Sequence, residues 1–277
     1  MPTYNDQATI VEALDSVRIQ DYCDWELVII NDGSTDQTEQ LIKDYIDKYQ
    51  LQSQVSYLYQ INQDQLRALL NGMKQITGDL VMFLHSDDKL LDNQALSRVV
   101  GDFSGDAILY NLQLADEQMQ PTRIAKLPKI VNSKQTMSRI LLFLGRNIYF
   151  DTFIATREYF ETWLKTSYLT WNMPFYLKLQ ESQIGMANLK GVNDQIMAYR
   201  LHSDNYNQSQ LGKLNVINGE LRTATTLMRY YHIPAYKLQF YISRFLNKIG
   251  ICYQPIYHLK SQRNPARVIR FILDKSF

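Results

Sequence analysis

Residues 25–36 read Trp25-Glu26-Leu27-Val28-Ile29-Ile30-Asn31-Asp32-Gly33-Ser34-Thr35-Asp36. The first half is short, apolar and β-rich, and it stops abruptly at Asn31-Asp32-Gly33-Ser34. That is the pattern of a buried strand running into a turn. Residues 35–49 then carry helical spacing, with Ser34 or Thr35 placed to cap the helix. Outward from this stretch the alternation repeats. A second strand is expected at 55–59, a helix at 65–76 ended by Gly78, and a strand at 80–84 stopped by His85-Ser86-Asp87-Asp88. A helix at 92–103 and a strand at 107–112 follow. Strands alternating with helices imply βαβ units, an α/β fold and a mostly parallel sheet.

In such sheets ligands bind beyond the carboxyl ends of the strands. Asp32 and the Asp87-Asp88 pair both fall just past such ends, 55 residues apart for Asp32 and Asp87. Two acidic turns are therefore expected to face one crevice. Adjacent carboxylates after a buried strand suit a hard divalent cation, Mg²⁺ or Mn²⁺, which takes one or two carboxylates plus substrate phosphates. Asp32 is placed to accept hydrogen bonds from a base N–H or a ribose hydroxyl. A lone Asp-Asp turn otherwise serves as a helix cap or a solvated loop. Neither G-x-x-x-x-G-K-[ST] nor G-x-G-x-x-G occurs, which disfavours a P-loop and a Rossmann dinucleotide site, and no G-x-S-x-G elbow is present.

The start of the chain is unusual for such a fold. Met1-Pro2-Thr3-Tyr4-Asn5 reads as the turn after a strand, yet no strand precedes it. The first strand is expected to be missing or truncated, with native chain upstream of Met1. Asp6 or Thr9 is placed to cap a helix over 9–20.

The 277 residues are 45% hydrophobic and 21% charged, the balance of a folded globular chain and not of a disordered one. The longest apolar runs, 80–84 and 140–144, are five residues, against about 20 for a membrane span. No signal segment is visible, and two cysteines, Cys23 and Cys252, make neither a disulfide framework nor a metal cluster, so a cytoplasmic location is expected.

The net charge of +1 hides an asymmetry. Residues 211–277 hold eleven Lys/Arg and two acids, while the first 210 residues hold 18 bases and 26 acids. Within the tail, Leu238, Tyr241, Ile242, Phe245 and Ile249 recur at helical spacing, with Lys237, Arg244 and Lys248 between them. Two readings stay open: attachment to an anionic membrane surface, or a helix packed on the main domain with its lysines solvated. The aromatic tail is also a candidate homodimer interface. No nucleic-acid motif appears, and nucleic acid is not an expected partner.

Taken in order, Pro2-Thr3-Tyr4-Asn5, the 26–36 stretch, Thr77-Gly78-Asp79 leading to 83–88, and Tyr199-Arg200-Leu201-His202 resemble family 2 glycosyltransferases over about residues 1–205. The resemblance implies a GT-A fold, a nucleotide-diphosphate sugar donor with UDP favoured, a divalent cation, and inversion at the anomeric carbon. Position by position, Pro2, Thr3, Tyr4 and Asn5 resemble donor-nucleotide contacts. Asp32 resembles the acid that meets the base, and Asp36 would order its loop. Asp87 would sit by ribose or metal and Asp88 would bind metal. Arg200 and His202 would face the diphosphate and metal, and Arg67 is placed to reach a phosphate.

Two positions depart from the family pattern. His85 stands where the first acid of an Asp-x-Asp-Asp turn is usual. Asn172, in Trp171-Asn172, stands where an Asp usually serves as the general base, and an Asn side chain cannot take a proton. Asp151 is the substitute candidate. The domain is read as 1–205, with a helical tail over 206–277. The expected activity is transfer of a hexose or N-acetylhexosamine to a hydroxyl of a glycan or lipid-linked acceptor, at the inner face of the cell membrane. The alternative is a catalytically weak donor-binding subunit of a transferase complex.

Overall fold

The computed structural model describes residues 1–63, 65–105, 107–127, 152–163, 189–202 and 205. Asp151, Asn172 and the tail from 206 onward lie outside the described residues. All described residues except Asn205 belong to one structural unit.

Three strands form a parallel sheet in the order β1 (Pro2–Thr3), β2 (Leu27–Asn31), β3 (Val55–Tyr59). Ile30 lies opposite Pro2, and Val55 lies opposite Leu27. Residues 1–5 are thus not a turn alone. Pro2 and Thr3 are a two-residue strand, too short for an alternation pattern, that exists because β2 offers it a partner.

Helix α1 (Ile10–Arg18) buries Ile10, Ala13, Leu14 and Val17, the i, i+3, i+4, i+7 stripe of an amphipathic helix. Helix α2 (Thr38–Tyr49) buries Thr38, Ile42, Tyr45 and Ile46. Ile10, Leu14, Ile42, Tyr45 and Ile46 join Ile29, Leu51 and Val55 in a first core. Neither helix uses a side-chain cap at its N-terminus. Thr9 stands at the cap position of α1, where the Asp6 carbonyl accepts from Thr9 and Ile10 N–H. Helix α2 begins three residues later than the sequence suggests, because Ser34, Thr35 and Asp36 are engaged elsewhere. Helix α3 (Gln65–Met73) also stops three residues short of the expected 76. It packs so closely on β2 that a Cβ at Gly72 would come within 3.3 Å of Ile30 Cγ1.

The second sheet is mixed. Its order is β4 (Leu80–Met82), β8 (Phe153–Thr156), β6 (Ala107–Ala115), β9 (Leu189–Arg200), β5 (Lys89–Leu90), and β7 (Pro121–Ala125) pairs with the second half of β6. Only β6 and β9 run parallel here; β4–β8, β6–β8, β6–β7 and β5–β9 are antiparallel. The parallel character read from βαβ spacing therefore belongs to the first sheet and to the β6–β9 pair. Helices α4 (Ala95–Asp102) and α5 (Arg157–Trp163) complete the described elements.

Strand β6 is buried from end to end, as expected of a strand covered on both faces. Its polar residues are satisfied. Asn111 donates to Asn193 Oδ1 and accepts from Leu127 N, and Gln113 donates to the carbonyls of Leu114 and Arg123. The twelve-residue β9 has no clean alternation, because it bulges: Val192 faces Tyr110, yet Gln195 faces the next residue, Asn111. This irregularity sets the register that carries Tyr199 and Arg200 to the end of β6.

The Thr77-Gly78 turn before β4 is held by the residue just ahead of β2. The Glu26 carboxylate accepts from the N–H groups of Thr77 and Gly78 and from the Thr77 hydroxyl. Burial alone would raise this carboxyl, but the hydrogen bonds from Gly78 and Thr77 outweigh it and hold it below the ordinary carboxylate value. Its stabilising effect is therefore complete above the ordinary value and lost as pH falls through the lower folded one.

Candidate active site

Four segments meet at the carboxyl ends of these strands: residues 1–6, the 31–38 turn, the 85–89 turn and the end of β9. Hydrogen bonds join them in series. Asp32 N donates to the Thr3 carbonyl at 2.9 Å, and Thr3 Oγ1 donates to Asp6 Oδ2 at 2.9 Å. Asp6 Oδ2 also accepts from Tyr4 N and from the Ser86 hydroxyl, and Ser86 Oγ reaches the Pro2 carbonyl. Asp87, next in the chain, meets His202, with Oδ2 and Nε2 3.0 Å apart. Asp88 Oδ1 accepts from the Arg200 main-chain N–H at 2.8 Å.

Asp32 is 4% exposed, and its Oδ1 accepts from Gln60 Nε2 at 2.6 Å and Gln63 N at 2.9 Å. The loop after β3 is thus folded around this carboxylate, and Asn71 Nδ2 on α3 steadies Gln60 through its Oε1. Gly33 makes the turn with φ +80°. Asn5, at φ +57°, donates from its N–H to Ser34 Oγ and accepts from Thr35 N. Asp36 accepts from Thr38 N and Gln7 N. These bonds are why Ser34–Asp36 do not start the helix: they brace the first loop against the second. Tyr4 is exposed at this rim, while Pro2 and Thr3 are buried.

Burial would raise the Asp87 carboxyl. The His202 hydrogen bond, with the charges of His85 and His202, outweighs it and holds Asp87 below the ordinary carboxylate value. His85 Nδ1 lies 3.0 Å from Gln65 Nε2, joining the acidic turn to the start of α3. Asp6 shifts the other way. Burial pushes it above its ordinary value, the hydrogen bonds from Ser86, Tyr4 and Thr3 only partly compensate, and the charge of Asp87 adds to the rise.

The sequence reading gives Arg200 to a diphosphate. In the structure Arg200 is 6% exposed and its guanidinium is held by protein acceptors: Nε donates to the Asp87 carbonyl at 2.8 Å, Nη1 to the Glu117 carbonyl and Nη2 to Glu12 Oε2. It anchors the acidic turn. Asp88, 1% exposed and turned to the Arg200 amide, is likewise directed inward. Among the described residues no group of three or more His, Cys, Asp or Glu is arranged to hold a metal ion. Asp87 and His202 do fit a partial donor set, an oxygen and an imidazole nitrogen on converging segments, with the remaining positions left to substrate phosphates. Arg67 lies on the exposed face of α3.

Asp6, Ser86, Glu12 and the Gln60–Gln63 pair carry this arrangement and were not singled out as site residues from sequence. Asp6 shows only as a cap candidate, and Glu12 is one of two acids on an amphipathic helix.

Comparison with known proteins places the fold and the family. Poly(ribitol-phosphate) β-N-acetylglucosaminyltransferase TarS of Staphylococcus aureus is 29% identical over 189 residues, covering 66% of this chain and 30% of that protein. The chain spans about a third of the length of the curated relatives it matches. Among solved structures, residues 1–349 of S. aureus TarS in complex with UDP-GlcNAc superpose with a TM-score of 0.56 at 18% identity, covering 98% of this chain and 87% of that one. The mannosyltransferase PcManGT from Pyrobaculum calidifontis, in complex with GDP-Man and Mn²⁺, superposes with a TM-score of 0.54 at 14% identity, covering 99% and 86%. Those two likenesses show the GT-A fold. The family model for glycosyl transferase family 2 matches residues 1–163, more than half of the sequence and all three of its N-terminal motifs, and the chain belongs to that family.

Proposed function

We propose that this chain is an inverting glycosyltransferase that moves a hexose or N-acetylhexosamine from a nucleotide-diphosphate donor, UDP by preference, to a hydroxyl of a glycan or lipid-linked glycan. The observation that carries this reading is the Asp87–His202 contact at 3.0 Å, which joins segments 115 residues apart beside the Asp32 turn. Asp32 and residues 2–5 receive the nucleotide. Asp32 keeps its loop folded through Oδ1, and its carboxylate accepts from a base N–H. Asp87 and His202 hold a divalent cation, which when bound neutralises charge gathering on the departing diphosphate. Arg200 keeps Asp87 in place. The UDP preference draws support from the UDP-GlcNAc bound by TarS, and metal dependence from the Mn²⁺ bound by PcManGT.

The experiment is thermal unfolding with UDP, GDP or ADP, each with and without Mn²⁺. A ligand bound only by the folded state, present at 100 times its Kd, stabilises by about 2.7 kcal/mol. For a chain of this size that is a rise of roughly 5–10 °C. UDP with Mn²⁺ is expected to give it. No rise with any nucleotide overturns the reading.

The reading extends to the tail: we propose that its basic segment, with apolar residues at helical spacing in the sequence, rests on an anionic membrane surface, in a domain plan of 1–205 plus 206–277. Flotation with phosphatidylserine vesicles tests it. The parent chain is expected to float and a variant with Lys237, Arg244 and Lys248 changed to Glu to remain at the bottom; equal flotation of the two ends the proposal.

A further inference from the structure

Helix α1 sits far from the acidic turn in sequence, yet one of its side chains grips both strands that frame that turn. Glu12 Oε1 accepts from Lys89 Nζ at 2.6 Å, and Lys89 opens β5 directly after Asp87-Asp88. Glu12 Oε2 accepts from Arg200 Nη2, and Arg200 closes β9 two residues before His202. The Arg200 side chain is 8% exposed, against 42% for Glu12. Of the three acceptors described above for the guanidinium, Glu12 alone is charged; Asp87 and Glu117 offer main-chain carbonyls. A guanidinium is tolerated in so dry a place when a carboxylate balances it.

The consequence runs through one atom. Arg200 Nε donates to the carbonyl of Asp87, so the position of the guanidinium sets the main chain that presents the Asp87 carboxylate. The Arg200 main-chain N–H fixes Asp88, and the same residue leads into His202, whose Nε2 meets Asp87 Oδ2. Glu12 therefore governs, through Arg200, the spacing of two side chains it does not touch. Neither the periodicity of α1 nor the reading of Arg200 as a phosphate contact suggests such a role.

We infer that Glu12 is a positioning residue: its carboxylate locks Arg200 so that Asp87 and His202 are held ready for a divalent cation and the donor diphosphate. This rests on the donor-and-metal reading above. Glu12→Gln keeps the shape and removes the charge, and because the side chain is partly exposed the fold is expected to survive, with the unfolding midpoint without ligand within a few degrees of the parent. Outer groups that orient metal-holding side chains are worth about 10–100-fold in metal affinity.

The test is Mn²⁺ binding in the presence of UDP, read from the electron paramagnetic resonance signal of free Mn²⁺. Glu12→Gln is expected to weaken Mn²⁺ binding about 10–100-fold, while the affinity for UDP alone, which Asp32 and residues 2–5 receive, stays within about twofold. Arg200→Lys is expected to weaken Mn²⁺ similarly, because a lysine cannot span Glu12 and the Asp87 carbonyl together. The double variant is expected to lose no more than Arg200→Lys alone, since both act through one clamp. Parent-like Mn²⁺ binding by Glu12→Gln, an equal loss of UDP affinity without metal, or losses that add in the double variant each overturn the inference. If the parent chain itself binds no Mn²⁺ with UDP, the donor-and-metal reading falls instead.

Discussion

Replacing Asp87 by Asn is expected to lower the rate of UDP release from a UDP-sugar by at least about 10²-fold, the scale on which a preorganised charge at a leaving group is felt. The fold should survive the change. Asp87 is half-buried, and burial works against its charge, so a neutral isostere removes a desolvation cost along with the His202 contact. The Asp87 main-chain carbonyl, which accepts from Arg200, is untouched. The unfolding midpoint is therefore expected to move only a few degrees, and the Mn²⁺-dependent part of the UDP-induced rise to vanish while the part seen with UDP alone remains. A variant that keeps more than half of the parent rate removes Asp87 from the machinery.

Gly33→Ala is expected to cost roughly 2–5 kcal/mol, from left-handed strain of ~1–2 kcal/mol and ~1–3 kcal/mol for disturbed hydrogen bonds on a buried carboxylate. At Gly33 φ is +80°, and a Cβ there would lie 2.8 Å from Asn62 N, 3.2 Å from its Cβ and 3.4 Å from its Cα. The nearest of these atoms is backbone, which cannot rotate away. The loop at 60–63 must shift, and with it the Gln60 and Gln63 bonds to Asp32. Stability and nucleotide affinity should therefore fall together, with the midpoint down by roughly 5–15 °C. Gly101→Ala, on α4 with nothing within 4 Å of the added Cβ, is the control, expected to be neutral or stabilising by about 0.5–1 kcal/mol. A Gly33→Ala midpoint within 2 °C of the parent contradicts this account of the turn.

The two substitutions separate roles that a motif runs together. Asp32 and Asp87 are both acids in turns beyond strand ends, yet Asp32 spends one oxygen organising a loop, whereas Asp87 faces an imidazole. Asp88, adjacent to Asp87, serves a main-chain N–H on β9. Three carboxylates that look alike on the page thus have three different partners, and the partners decide what each can contribute.

Much of the frame was legible along the chain. The apolar run ending at Asn31, the helical stripes of α1 and α2, and the acidic turns after β2 and β4 are local patterns, set by side chains two to four residues apart, so periodicity is enough to find them. The placement of Asp32 and Asp87 beyond strand ends followed from that pattern plus the rule for where α/β sheets bind ligands. The helix starts were less legible, because Ser34, Thr35 and Asp36 are good caps in isolation but are drawn into bonds with Asn5, Gln7 and Thr38. The bulge in β9, the antiparallel pairs of the second sheet and the inward turn of Arg200 were not legible at all. Each depends on which distant segment arrives alongside: β9 on β6, β8 between β4 and β6, Glu12 beneath a guanidinium 188 residues away. Local propensity chooses helix, strand or turn, but a charge goes where packing supplies its counter-charge, and only the folded chain brings those two together.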